Sequence, residues 1–327
     1  MVTQTLPSIF DVIVVGGGPA GLSSALVLGR SRRKVLVCDS GEPRNATSKA
    51  LHSFLSRDGI KPSELRKIAR EQIHAYDGVY FQESKVINVN KQESLFQIIL
   101  DNGSSFLSRK LILAVGVIDE LPDIQGMREL WGVSIFHCPY CHGWEVRDQS
   151  LALYGNGRIG FELSTLLTGW SCDLVLCTDG PAELSSEELG KLYSYGIEVR
   201  QERIAYLAHK NGELESIVFT DGKILPRKGI FLRPKTLYRT EIAKQLGCQL
   251  TDSGAVQVDE KGQTSVPGLY IAGDAAGRVH QAIGIVADGA AVAYGLNHTL
   301  IQEDLEENSR LSSLEKGFAQ EVTIVTQ

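Results

Sequence analysis

Apolar and polar positions follow two repeating patterns along the chain. Residues 11–15 are an apolar, β-branched run after Asp11, the pattern of a strand buried on both faces of a parallel sheet. The cluster Gly16-Gly17-Gly18-Pro19-Ala20-Gly21 ends it, residues 22–30 carry apolar side chains at helical spacing, and residues 34–38 form a second apolar strand closed by Asp39. This is a β-α-β unit. The order returns as a strand at 151–154, the loop Gly155-Asn156-Gly157-Arg158-Ile159-Gly160, a helix through Thr168 and a strand at 174–177 ending near Asp179. Between the two units the pattern predicts a helix over 62–76 and strands at 79–81, 85–89, 96–100 and 111–115. After the second unit it predicts strands at 196–199, 204–209 and 214–220, with Asn211-Gly212 and Asp221-Gly222 as turns. A buried strand at 269–272 and a helix rich in small residues over 281–300 close the pattern, and that strand is expected to rejoin the first sheet.

A length of 327 residues corresponds to about two domains. With 43% hydrophobic and 22% charged residues the chain reads as globular. The net charge of −6 lacks the basic surplus that binding a phosphate backbone needs, so nucleic acid is not expected as a partner. No apolar run reaches the length of a membrane span, and the first ten residues lack the pattern of an export signal, so a cytoplasmic location is expected. Six cysteines are too few for a disulfide scaffold and fit a reducing compartment.

A strand feeding a glycine loop into a helix lets backbone approach a pyrophosphate, while the helix start supplies unpaired N–H groups and positive dipole. In the first copy Asp39 lies 18 residues beyond Gly21, near the offset at which an acid meets a ribose hydroxyl. Gly16, Gly18, Pro19, Ala20, Gly21 and Asp39 are therefore candidate dinucleotide contacts. In the second copy Gly155, Gly157, Arg158, Ile159, Gly160 and Asp179 are candidates in the same way. There, residues 175–180 offer no Arg or Lys for a 2′-phosphate, which favours NADH over NADPH.

The sharpest local feature is His137-Cys138-Pro139-Tyr140-Cys141-His142. A zinc site would need a second ligand pair, and none exists. The string Cys138 to His142 also spells a c-type haem attachment, which needs an exported chain. A redox dithiol needs two thiols able to bridge, one of them acidified, and CxxC at a helix start provides both. His142, adjacent to Cys141, is the expected acid/base for protonating a departing sulfur, while His137 is read as an ordinary loop residue.

Two nucleotide loops bracketing a CxxC, together with Ala114-Val115-Gly116 and the string at 264–274 ending in Gly273-Asp274, resemble the low-molecular-weight thioredoxin reductase-like pyridine nucleotide-disulfide oxidoreductases. The resemblance implies an α/β fold of two Rossmann-like, three-layer ββα nucleotide-binding domains, the second inserted into the first. It implies a FAD-binding domain of residues 1–117 and 244–327, with residues 118–243 carrying the CxxC. FAD would be held by the first loop, Ala114, Gly116, Gly273 and Asp274, with Gln281, Ala282 and Ile283 at the isoalloxazine end. Ser40, Arg44 and Asn45 join Asp39 as similar contacts, and a homodimer is implied as well.

The implied activity passes two electrons between FAD and the Cys138/Cys141 disulfide, and on to a disulfide or dithiol substrate, either a small molecule or a thioredoxin-like protein. His142 stands where thioredoxin reductases carry an acid, which is similar to fungal dithiol oxidases. The missing basic motif is similar to the cyanobacterial diflavin-linked disulfide oxidoreductases, so a second FAD or NADH is expected at the second loop. An oxygen-dependent dithiol oxidase and a non-catalytic redox-sensing flavoprotein are the alternatives.

Overall fold

The computed structural model describes residues 6–277 and 281–325, with side chains through residue 312. The chain packs as two compact units, one of Met1–Glu42, Arg66–Gly116 and Tyr238–Gln327, the other of Pro43–Leu65 and Val117–Leu237. The sequence reading differs on two points. It assigns residues 43–65 to the first part and places the return at 244. The structure puts 43–65 with the second unit because their bonds run there: Arg44 forms a two-pronged ion pair with Asp119, and Ser53 donates to the Tyr140 carbonyl. The return falls at Tyr238.

The first unit is built on a seven-stranded sheet. Its strands run in the order Val79–Gln82, Val35–Cys38, Ile9–Val15, Ser105–Leu113, Leu95–Leu100 and Val86–Gln92. Ser105–Leu113 runs parallel to Ile9–Val15 on one edge and serves two neighbours on the other: its first half pairs antiparallel with Leu95–Leu100, and its second half runs parallel to Leu269–Ile271. The late strand thus rejoins the first sheet. Ile9–Val15 and Val35–Cys38 are almost wholly apolar because both faces are covered. Phe10, Ile13, Leu36 and Phe96 pack on one face, while Val12, Val14, Val35 and Val37 meet Leu28 and Leu296 on the other.

Two helices cover that second face. Pro19–Arg30 packs on Ala282–Val325, where Gly289 lies so close that a Cβ would stand 2.2 Å from the Ala20 carbonyl oxygen. Ser23 and Ser24 donate to the Val286 and Gly289 carbonyls at 2.7 and 2.8 Å. The closing helix runs well past the expected residue 300. Glu303 and Asp304 reach back to Arg33, Arg109 and Lys110, which neutralises the start of its acidic stretch.

The second unit has a five-stranded parallel sheet ordered Glu198–Arg200, Leu174–Cys177, Leu151–Tyr154, Gly229–Leu232 and Ile135–Phe136. A three-stranded antiparallel sheet, Ile204–Lys210, Glu213–Phe219 and Ile224–Pro226, lies beside it, and Leu207, Leu214 and Phe219 join Ala152 and Ile230 in one core. Ser186–Ser194, which the apolar spacing did not reveal, is opened by a capping box between Ser185 and Glu188. Cys38 and Cys177 occupy matching places, each ending the second strand of its β-α-β unit. Burial pushes both thiols up to about 12. No helix among the described residues is long and apolar enough to cross a membrane.

Candidate functional site

In the first unit the strands ending at Val15, Cys38, Leu113 and Ile271 run parallel, and the order reverses around Ile9–Val15, with neighbours on both sides. Ligands of open α/β sheets bind at such a switch point, beyond the carboxyl ends of the strands. The glycine loop lies there. Gly16 has φ +110°, and a Cβ on it would stand 2.3 Å from the Ala114 carbonyl oxygen; one on Gly21 would meet the Gly16 carbonyl at 1.9 Å. These contacts pull the loop onto residues 114–116. Gly18 faces open space, and as N-cap of Pro19–Arg30 it makes no side-chain capping bond. The first N–H groups of this helix are thus left for an outside acceptor.

Asp39 lies directly beneath, within 2.3 Å of where a Gly17 Cβ would be. Its carboxylate accepts from the Gly41 N–H and from Arg70 at 3.0 Å, with Arg66 4.0 Å away. Arg66 and Arg70 were not foreseen from the sequence; their one signal is an i, i+4 pair on an amphipathic helix. Gly273 abuts Ala20 and donates its N–H to Asp288 at 2.7 Å, which brings the buried Asp274 to the same end of the sheet. Ala282 opens the closing helix, with Ile283 partly exposed beside it. An open helix start, a cradle that excludes Cβ atoms and a buried acid beyond the second strand fit a FAD pyrophosphate and ribose. Of the expected FAD contacts, Arg44 and Asn45 lie on the segment 43–65. They belong to the second unit, where the Arg44 guanidinium holds Asp119 at 2.6 and 2.8 Å.

The second glycine loop has the same backbone plan and a different outcome. Asn156 caps the helix Gly157–Leu167 with its side-chain oxygen, which accepts from the Gly157 and Glu183 N–H groups, each at 2.8 Å. Its amide nitrogen donates to the Pro181 carbonyl at 2.9 Å. The carboxamide therefore stitches residues 181–183 across the helix start. Asp179, expected on a ribose, accepts from the Ile204 N–H at 2.7 Å and from Tyr154 at 3.4 Å, so the fold itself uses both its oxygens. Arg158 is exposed and paired with Glu162. Arg203, 3.7 Å from Asp179, stands beside Gly180; it escapes a linear reading because it comes from beyond the next strand. In this conformation the loop does not offer the open cradle of the first.

The redox motif lies at the carboxyl end of Ile135–Phe136. Cys138 is the N-cap of the short helix Pro139–His142 and is disulfide-bonded to Cys141, with Cα atoms 5.2 Å apart. Proline at the first helical position fixes the turn. His142 stacks on Phe136 at 4.6 Å between centroids, and its Nε2 meets Ser48 Oγ at 3.2 Å. Burial first, then the nearby His137 and His52, lowers its pKa from the ordinary 6.5 to about 4. His142 is therefore neutral near pH 7. His137 stacks on Trp131. His52 lies 3.5 Å from Glu145 and 3.6 Å from Asp58. Ser48 and His52 were not singled out in the sequence, since nothing local links them to a motif some 90 residues on.

Tyr140 and Trp144 are exposed around the disulfide, with Arg147 over the indole at 4.0 Å. Among the described residues no group of three or more His, Cys, Asp or Glu could hold a metal ion.

Comparison with known proteins agrees with this geometry. The pyridine nucleotide-disulphide oxidoreductase family model matches residues 10–289. The chain is 31% identical to thioredoxin reductase sirT of Leptosphaeria maculans, over 94% of this chain and 99% of that protein. The crystal structure of HlmI is similar at TM-score 0.87 and 36% identity, covering 93% of this chain and 96% of that one. An oxidoreductase from Agrobacterium tumefaciens is similar at TM-score 0.83 and 33% identity, covering 89% and 98%.

Proposed function

Because the chain belongs to the pyridine nucleotide-disulphide oxidoreductase family, whose members bind FAD and NAD(P)H, we propose that it is a FAD-dependent disulfide oxidoreductase of thioredoxin reductase type. The observation that carries this is a Cys138–Cys141 disulfide at a helix start, beside a half-buried neutral histidine. FAD, held by Gly16, Gly18, Pro19, Ala20, Gly21, Asp39, Ser40, Ala114, Gly116, Gly273, Asp274, Gln281, Ala282 and Ile283, would supply a reversible two-electron store. The protein's own groups carry out the thiol chemistry.

Cys138 is assigned to the substrate and Cys141 to the flavin. A substrate thiol gives its proton to His142, and the thiolate attacks the Cys138 sulfur. The Cys138–Cys141 bond breaks and Cys141 leaves with the electron pair. The second substrate thiolate then attacks the mixed disulfide, so the substrate departs as a disulfide and the protein holds two electrons as a dithiol. Run in reverse, the same steps reduce a substrate disulfide. The neutral imidazole can take a proton in passing, and its lowered pKa favours handing that proton on to the departing sulfur.

The substrate class is a small dithiol or disulfide, or a thioredoxin-like protein, and the working form is a homodimer. An oxygen-dependent dithiol oxidase is the second reading, favoured by the Asn156 stitch, which ties residues 181–183 across the helix start where NADH or a second FAD would bind. Anaerobic mixing of the flavin-loaded protein with dithiothreitol, NADH or NADPH separates the readings. Bleaching by the dithiol alone, followed by oxygen uptake when air is admitted, selects the oxidase; bleaching by a nicotinamide selects the reductase. A spectrum that none of the three changes leaves only a redox sensor. One flavin released per chain is expected on denaturation, and two would restore the diflavin plan.

A further inference from the structure

The hydroxyl of Ser48 carries one proton, and its neighbours decide where that proton points. The Ala50 carbonyl can only accept, and Ser48 Oγ donates to it at 2.7 Å. On the other side stands His142 Nε2 at 3.2 Å. With its hydrogen committed, Ser48 is an acceptor there, so Nε2 must carry the imidazole proton. Nδ1 is then the bare nitrogen, and it is buried with no hydrogen-bond partner among the described residues. Native proteins rarely leave a buried polar atom unsatisfied, and one beside a redox disulfide calls for a chemical reason.

Neighbouring contacts fix both partners. Phe136 holds the ring plane within 17° of its own. The His142 N–H is bonded to the Cys138 carbonyl at 3.2 Å, tying the histidine to the turn that carries both sulfurs. Thr47 presses on Gly132, whose φ of +79° and lack of a Cβ admit Thr47 Oγ1 at 2.5 Å from the Cβ position. The Arg44–Asp119 pair anchors the same segment.

We propose that Ser48 is a positioning residue: it holds the His142 imidazole as the Nε2–H tautomer, so that Nδ1 takes and returns the thiol proton during exchange at Cys138–Cys141. This rests on the redox reading given above. In the first half-reaction the substrate S–H bond breaks and an Nδ1–H bond forms. The thiolate bonds to the Cys138 sulfur, the Cys138–Cys141 bond breaks with its electron pair on Cys141, and the Nδ1 proton passes to that sulfur. Atoms and charge balance without a further reactant. The groups facing the ring on other elements are His137 and His52, with Glu145 and Asp58 near His52; burial first, and then the two histidines, disfavour the His142 imidazolium, so its proton moves on.

The test uses FAD-loaded protein with 15N-labelled histidine, with His142→Gln to identify the resonance. Long-range 1H–15N correlations should show the Nε2–H tautomer in the wild type, a mixture in Ser48→Ala, and recovery in Ser48→Thr. In the same samples, Ser48→Ala should slow anaerobic bleaching by dithiothreitol about tenfold with flavin content unchanged, and Ser48→Thr should restore it. An Nδ1–H tautomer in the wild type overturns the proposal without any variant. A Ser48→Ala protein with wild-type tautomer and rate also overturns it. If His142→Gln bleaches at the wild-type rate, the proton role fails while the redox pair stands. If Cys141→Ser bleaches at the wild-type rate, the redox pair is the part that fails, and the proposal falls with it.

Discussion

The two glycine loops begin from the same sequence grammar and end in opposite states. After Gly18 the helix start has no side-chain cap and faces open space, whereas after Gly155 it is capped by Asn156 and bridged to Pro181 and Glu183. The first loop leaves its helix start uncapped, and the second uses the Gly157 N–H on its own Asn156. The difference rests on one side chain: a residue with a carboxamide at the second loop position can satisfy what a glycine there leaves unpaired. Repeating a motif therefore does not repeat a site. In the second unit the unused bonding capacity lies instead at His142 Nδ1.

The first loop is most vulnerable at Gly16. Gly16→Val should abolish flavin binding, because the new side chain meets the Ala114 carbonyl at a φ that L residues avoid. Visible absorbance of the purified protein checks this, and a yellow variant would show that the loop is not the cradle. Next is acidity. The folded pKa of His142, about 4, lies below its ordinary 6.5, so the unfolded chain binds the extra proton between those values. Stability present above pH 6.5 should fall by on the order of 2 kcal/mol as pH drops toward 4, and His142→Gln should flatten that slope in urea titrations.

A smaller effect belongs to Asn156→Ala, which removes the cap at about 1 kcal/mol and should strengthen NADH binding severalfold by calorimetry. Unchanged affinity would mean the stitch does not gate the loop. The mildest change is Gly155→Ala. Its Cβ meets nothing closer than 3.4 Å, so flavin content should persist and stability shift by under about 1 kcal/mol.

Both β-α-β units were legible because strand, loop and helix are contiguous and each follows its own period. The cysteine pair was legible because the CxxC motif is local. Contacts between distant segments were not. The excursion of residues 43–65, the Ser48–His142 contact and the turning of Asp179 toward Ile204 depend on pairs that no periodicity encodes. The pairing of Arg44 with Asp119 is of the same kind: a planar acid 75 residues on meets its fork, and no local pattern announces it. The hidden strands at Gly229–Leu232 and Lys235–Tyr238 are too short to separate from loop by pattern alone.

The matched placement of Cys38 and Cys177 has a consequence for how the molecule meets oxidants. A thiol held protonated to about pH 12 presents almost no nucleophilic sulfur to peroxide or to an alkylating reagent. Of the free thiols, the exposed Cys172 is the one left open to such reagents, with Cys248 half-buried. The two interior sulfurs thus fill the core as inert apolar atoms.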